Sequence, residues 1–151
     1  MKRSTIFLLS VLHFVLLSSA QAQTVEKLKT ETEFGDYIVR HVVFNSTFVL
    51  PEVSKSYQIK RSKYESLLNV AVSKKGEIGS IPAKVSGTTK NLIQQQKQLN
   101  FKEISEKDAT YYIAPIRVAN EELLHFTVHV TPENSDEAFV VNFSLTVYAD
   151  D

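Results

Sequence analysis

The chain has 151 residues, of which 43% are hydrophobic, 23% are charged and 10% are aromatic, and its formal net charge is zero. This composition is typical of one globular domain and argues against a disordered chain. There is no cysteine, which excludes disulfide scaffolds, cysteine-ligated zinc or iron–sulfur sites and cysteine nucleophiles. It also excludes a bacterial lipoprotein, whose lipid is attached to a cysteine.

The first 22 residues have the three-part pattern of a cleavable signal peptide. Lys2 and Arg3 form a basic start, residues 6–17 are mostly apolar, and residues 18–22 are small and end in an A-x-A pattern. An apolar run of about 12 residues is too short for a membrane anchor, which needs about 20. We therefore predict a signal peptide over residues 1–22 and an exported single domain over residues 23–151, with no further membrane span.

Apolar and polar residues alternate along most of the exported chain, which predicts strands with one buried face. In chain order, residues 24–33 predict a weak edge strand and residues 37–44 a central strand that is apolar on both faces. Further strands are predicted over residues 68–73, 112–118, 124–131 and 139–148. Pro51 followed by Glu52 predicts one or two helical turns over residues 51–57. Residues 91–98 lack an apolar helical face, so we interpret them as a strand end and a polar hairpin loop.

Turn signals separate these runs at short intervals. They lie at residues 74–79, 106–108 and 131–136, and residues 120–122 are a short enough connection to predict a β-hairpin. Seven or eight short strands at this spacing predict an all-β fold, an antiparallel β-sandwich.

Five stretches of the sequence form a specific series. In order they are Phe44-Asn45-Ser46-Thr47-Phe48, Leu50-Pro51-Glu52-Val53, Arg61-Ser62-Lys63, Asp108-Ala109-Thr110-Tyr111-Tyr112 and Glu122-Leu123-Leu124-His125-Phe126. Over residues 35–148 the chain resembles a family of exported Gram-negative proteins catalogued as domain of unknown function 4426. The resemblance implies a periplasmic β-sandwich of immunoglobulin-like type, and it supplies no activity, cofactor or catalytic residue.

The exported chain has three histidines, which raise the question of a metal site: His41, His125 and His129. On one strand His125 and His129 lie about 13 Å apart, so they cannot both reach one ion at about 2.1 Å. A site that combines His41 with an acidic residue of a neighbouring strand stays open. There is no G-x-S-x-G motif or glycine-rich phosphate loop, so no cofactor, metal or catalytic residue is predicted, and an enzyme is the least favoured class.

The favoured hypothesis is a non-catalytic binding or interaction module. Asn45, Ser46 and Thr47 are either a polar binding loop or a turn whose side chains bond to the backbone. Residues 55–102 carry ten basic and two acidic residues, for a net charge of +8, and the rest of the exported chain has −10. This segregation predicts either a basic face or basic strands paired with acidic ones. The candidate binding residues are Asn45, Ser46, Thr47, Lys60, Arg61 and Lys63.

The expected partner is an envelope protein or an anionic envelope component. Nucleic acid is not expected, because the exported chain has 15 basic and 17 acidic residues and therefore a net charge of −2. The alternative is a small-ligand or lipid carrier with an apolar pocket between the sheets. The sequence leaves the oligomeric state open.

Overall fold

The structure is a computed structural model that describes residues 29–150. In this part of the chain nine β-strands form two antiparallel sheets, joined by short connections that include one helix and one 3-10 turn. The predicted antiparallel β-sandwich is confirmed, with one or two more strands than the sequence indicated. The predicted signal peptide lies outside the described residues. Within them, no helix is long and apolar enough to cross a bilayer.

The strands build one sheet of five and one of four. In chain order they are β1 (Glu31–Phe34), β2 (Tyr37–Asn45), β3 (Glu65–Lys74), β4 (Ala83–Asn91), β5 (Gln96–Gln98), β6 (Lys102–Glu106), β7 (Ala109–Arg117), β8 (Glu121–Pro132) and β9 (Phe139–Tyr148). The five-stranded sheet has the order β1-β2-β3-β7-β6, and the four-stranded sheet has the order β5-β4-β8-β9. A 3-10 turn (Ser46–Phe48) and helix α1 (Pro51–Ser56) lie between β2 and β3.

Several local predictions are confirmed. β2 is an interior strand, and β1 forms the edge beside it. Helix α1 begins with Pro51 in its first turn, where proline costs no hydrogen bond, and Glu52 adds a favourable charge there. The polar segment after β4 turns back as a hairpin to β5, with the Asn91 side chain accepting a hydrogen bond from the Gln95 N–H at 2.9 Å.

One predicted connection is wrong: residues 120–122 do not close a hairpin, because β7 and β8 belong to different sheets. The Val118 N–H donates to the Tyr64 carbonyl at 2.9 Å, which extends the pairing of β7 with β3. Only two residues later, the Asn120 carbonyl accepts from the Ala149 N–H at 2.7 Å, which begins the pairing of β8 with β9. A connection this short looks the same in sequence whether it reverses within a sheet or passes to the other one.

The core lies between the sheets and is built from the inward side of each strand. Leu68 and Val70 of β3 are fully buried there, together with Val128 and Val130 of β8. A column of three rings joins the two sheets. Phe126 of β8 stacks on its cross-strand neighbour Phe143 at 4.5 Å, and Phe143 stacks on His41 of β2 at 4.1 Å between ring centroids.

Candidate functional site

The connection from β2 to β3, residues 46–64, crosses the outer face of the five-stranded sheet and is called the crossover segment. Two contacts hold its middle to the far edge strand β6. The Tyr57 hydroxyl donates to the Glu106 carboxylate, a bond that raises the pKa of Tyr57 above its usual value. Lys102 Nζ donates to the Tyr57 carbonyl at 2.5 Å. The segment therefore spans the sheet from β2 to β6.

Ser46 holds together the start and the end of the crossover segment. Its side chain is fully buried. Its Oγ donates to the Ser62 carbonyl at 3.1 Å and accepts from the Ser62 N–H at 2.9 Å. The Ser46 hydroxyl thus bonds to both the N–H and the C=O of Ser62. Such bonds are typical of a serine that stabilises a turn rather than of a free binding group.

The neighbours of Ser46 are also engaged within the chain. Asn45 Oδ1 accepts from Ser66 Oγ at 3.2 Å, and the Thr47 hydroxyl donates to the Asp150 carboxylate. Arg61 Nη2 donates to the Thr47 carbonyl at 2.9 Å. The structure therefore brings Arg61 against the predicted polar loop, and the role of the six candidate residues in binding stays a prediction.

Two apolar grooves flank the crossover segment where Ile59 lies against the sheet. The first groove, about 250 Å³, is bounded by Phe44, Tyr57 and Tyr111, and the second, about 330 Å³, by Leu67 and other side chains of β3, β6 and β7. They form because β2, β3 and β7 carry apolar residues on the outer face as well as on the inner one, and because Ile104, the one apolar residue of β6, also lies on the outer face. The grooves are thus surface features, separate from the core.

A buried polar atom lies at the first groove. Asn69 Oδ1 of β3 is shielded from solvent and has no hydrogen-bond partner. An unpaired buried amide oxygen costs about 1–3 kcal/mol. A donor that reached it from the groove would recover part of that cost.

The start of the crossover segment exposes a cluster of large apolar side chains beside the first groove. Phe48, Leu50 and Val53 are 71%, 59% and 37% exposed, and all three lie within a stretch of six residues. Single exposed apolar residues are ordinary, but three of them within six residues, with Val53 also lining the first groove, are typical of an interaction surface.

The basic residues of residues 55–102 divide between several surfaces. Those on or beside the crossover segment are Lys55, Lys60, Arg61, Lys63 and Lys102. Lys75 lies at the opposite end of the sandwich and pairs with Glu33 at 2.7 Å, while Lys84 and Lys90 belong to β4 of the other sheet. Half of the ten basic residues therefore lie on or beside the crossover segment. One of them, Lys63, has its Nζ 5.3 Å from the centre of the Tyr64 ring.

The histidines lie on different faces of the sandwich. His41 is buried on the inner face of β2, whereas His125 and His129 lie on the outer face of β8, where His125 Nδ1 is 2.7 Å from Ser144 Oγ. Within residues 29–150 no group of three or more histidine, aspartate or glutamate side chains is placed to hold a metal ion.

Residues 31–150 match the family model described as domain of unknown function (DUF4426). The chain belongs to this family. A crystal structure of a DUF4426 family protein from Pseudomonas aeruginosa PAO1 is 31% identical, with a TM-score of 0.73 over 80% of this chain and 95% of that one. The family resemblance of the sequence is thereby confirmed.

Two further structures share the fold of this DUF4426 protein. FetP of uropathogenic E. coli strain F11, expressed recombinantly in the periplasm of E. coli, is 14% identical, with a TM-score of 0.56 over 80% of this chain and 94% of FetP. A copper-bound variant of FetP is 13% identical with the same TM-score and the same coverage of both chains. At these identities the likeness is one of fold alone. No curated protein matches the chain significantly.

The sequence contains a signal for the apolar cluster outside the predicted strands. Phe48, Leu50 and Val53 interrupt the stretch after β2, where the alternation of a strand has ended. Apolar residues outside a strand either pack over the surface of a sheet or stay exposed to solvent. Here Phe48, Leu50 and Val53 stay exposed. The grooves could not be found in this way, because their walls come from strands far apart in the sequence.

Burial of His41 predicts an acid-dependent loss of stability. Burial lowers its pKa below the usual 6.5, and the positive charge of Lys29 lowers it further. The unfolded chain then binds a proton more readily than the folded one. The contribution of neutral His41 is complete above about pH 6.5 and is lost as the pH falls through the folded-state pKa. We expect the free energy of unfolding, measured by urea denaturation, to decrease as the pH is lowered from 7.5 to 5.5.

A phenylalanine at this position separates His41 from the other titrating groups. His41→Phe keeps a ring against Phe143 and should flatten the pH dependence over that range. The matched control, His125→Asn on the solvent-facing side of β8, should keep the wild-type slope. Equal slopes for wild type and His41→Phe would assign the effect to other groups.

Proposed function

We propose that this DUF4426 protein is a non-catalytic periplasmic interaction module that binds another envelope protein through the crossover segment. The observation that carries the proposal is the exposed cluster of Phe48, Leu50 and Val53 on a segment that hydrogen bonds hold to strand β6 of the sheet. An anchored segment presents these side chains without the ordering cost of a mobile loop, which favours binding.

The surface indicates the chemistry of the partner. Apolar side chains would fill the first groove, and an N–H or O–H group could donate to Asn69 Oδ1. Around the apolar cluster, Lys60 and Lys63 offer positive charge to carboxylates. A segment with apolar side chains flanked by acidic residues fits this combination, with the charges adding mainly to specificity and association rate.

The carrier alternative has less support. It needs an apolar pocket between the sheets, but that space is filled by fully buried side chains such as Leu68 and Val70. An opening at one end of the sandwich is lined by Leu99, Ile116 and Leu124 as well as by the polar groups of Asn91, Arg117 and Glu122, but its volume of about 170 Å³ is below the roughly 300 Å³ of an ordinary ligand pocket. The apolar grooves lie on the outside, where they suit a macromolecular partner better than an enclosed lipid.

Site-specific photocrosslinking in living cells tests the proposal. A photoreactive phenylalanine analogue replaces Phe48 in one variant and Ile78 in a control. Ile78 is likewise a large apolar residue and is fully exposed, but it lies in the connection from β3 to β4. We expect a discrete adduct with an envelope protein from position 48 and none from position 78.

A second variant shows whether the capture depends on the surface. Leu50→Ser in the Phe48 analogue background should remove most of the adduct, since Leu50 contributes apolar contact and is too exposed to affect the fold. Identical adducts from positions 48 and 78, or an adduct indifferent to Leu50→Ser, would refute a specific site here. Mass spectrometry of the adduct tests whether the contacting segment is apolar and acidic.

A further inference from the structure

The four edge strands of the sandwich are protected to very different degrees. β1 has four residues, and its Glu31 and Glu33 form ion pairs with Arg40 and Lys75. β5 has three residues and includes a lysine, and β6 has five, three of them charged. Short length and charge are the usual devices that keep an edge from pairing with another chain. β9 has neither: its ten residues include no charged residue and no proline.

The backbone groups of β9 that face away from β8 can be assigned. The Ala149 N–H donates to the Asn120 carbonyl on the β8 side at 2.7 Å. Because successive residues of an antiparallel strand point their N–H and C=O groups to opposite sides, odd-numbered residues face β8 and even-numbered ones face outward. The Asp150 N–H agrees, since it donates outward to the Lys63 carbonyl at 2.8 Å. Among residues 29–150, no strand pairs with this outer edge.

We propose that a second copy of the chain pairs with this edge, β9 against β9 in antiparallel orientation, about a two-fold axis at Ser144. The two four-stranded sheets would then form one continuous sheet of eight strands. The outward groups restrict the register, because only even-numbered residues can exchange hydrogen bonds with each other, and among the registers allowed the side chains favour the one centred on Ser144. With Ser144 opposite itself, Asn142 lies opposite Thr146, and Val140 lies opposite Tyr148.

The side chains favour a second copy over an unrelated strand. Val140 and Tyr148, the two large apolar residues on the solvent side of β9, are 43% and 55% exposed. In this register Val140 of one copy packs against Tyr148 of the other, and the two-fold axis repeats this contact at both ends of the interface. Between them only uncharged polar residues meet, so pairing brings no like charges together. An isologous interface requires this self-complementarity.

The proposed pairing fits the rest of the fold. It ends at Tyr148, before Asp150, where the Lys63 carbonyl occupies the edge. It uses the four-stranded sheet only and leaves the outer face of the five-stranded sheet open. A dimer would therefore present two crossover segments, although the pairing does not depend on their function.

Single cysteines give a direct test of the register, because the chain has no cysteine of its own. Residues opposite each other in a hydrogen-bonded pair have Cα atoms about 5.5 Å apart, which a disulfide can bridge. Ser144→Cys should therefore form a disulfide-linked dimer on mild oxidation. Asn142→Cys alone should not, since its copies lie about 13 Å apart, but it should crosslink with Thr146→Cys when the two variants are mixed.

Association itself is measured by sedimentation velocity on the protein expressed from its full sequence. We expect concentration-dependent dimers for the wild type and monomers for Ser144→Lys, which places two like charges on the axis. Ser86→Lys on β4, on the same solvent-facing side but away from the edge, should dimerise like the wild type. A monomeric wild type at millimolar concentration, dimers that survive Ser144→Lys, or equal crosslinking of Asn142→Cys and Ser144→Cys would each overturn the proposal.

Discussion

Replacing Phe126 by alanine is expected to lower the free energy of unfolding by about 3–5 kcal/mol. Phe126 is 1% exposed and is the largest of the fully buried side chains. Its ring stacks on Phe143 at 4.5 Å with an interplanar angle of 2°, and Phe143 stacks on His41. Truncation would remove the apolar transfer energy, open a cavity in the core and leave one face of the Phe143 ring without contacts. The stack of three rings that joins the two sheets would thus lose the ring that β8 contributes.

Urea denaturation monitored by circular dichroism measures this loss. The matched control is Phe48→Ala, which removes the same ring from a side chain that is 71% exposed and should change the free energy by no more than about 0.5 kcal/mol. A loss below about 1 kcal/mol for Phe126→Ala would mean that the sheets pack differently around β8. The pair also shows that Phe48 is dispensable for folding, as an interaction residue should be.

The strands were predictable from the sequence where one face is buried and the other is exposed to solvent. Apolar and polar residues alternate along β8 and β9 over ten or more residues. In β8 the even-numbered residues face the core, and in β9 the odd-numbered residues do. β2 was recognised as interior from its apolar residues on both faces. The structure supplies the reason: its outer face borders the crossover segment and the first groove.

The parts that were not predicted lack a local signal. β5 is exposed along its whole length, and β6 buries only Ile104, so neither shows the alternation of a half-buried strand. The connection between β7 and β8 has the length of a hairpin, and only tertiary packing decides that it passes to the other sheet. The grooves likewise depend on Ile104 and Ile113, which follow the end of the crossover segment by 40 and 49 residues.

Replacing Ser46 by alanine is expected to lower the free energy of unfolding by about 1–3 kcal/mol. The fully buried Ser46 hydroxyl satisfies both the N–H and the C=O of Ser62. Alanine would leave the Ser62 N–H without a partner at a point where water has little access, and the Ser62 carbonyl would keep only the Glu65 N–H as a donor, at 3.0 Å. The loss should therefore exceed that of an ordinary hydrogen bond, and it should loosen the end of the crossover segment, where Arg61 bonds to Thr47.

A serine elsewhere in the crossover segment provides the control. Ser56 also bonds to a backbone carbonyl, that of Glu52, but it is exposed, so Ser56→Ala should cost no more than about 0.5 kcal/mol. Chemical denaturation of the two variants separates a structural role from a binding one. If Ser46→Ala keeps both the wild-type stability and the photocrosslink at position 48, the hydrogen bonds of Ser46 to Ser62 do not hold the crossover segment in place. If both fall together, Ser46 positions the exposed apolar cluster and the partner is recognised by Phe48, Leu50 and Val53.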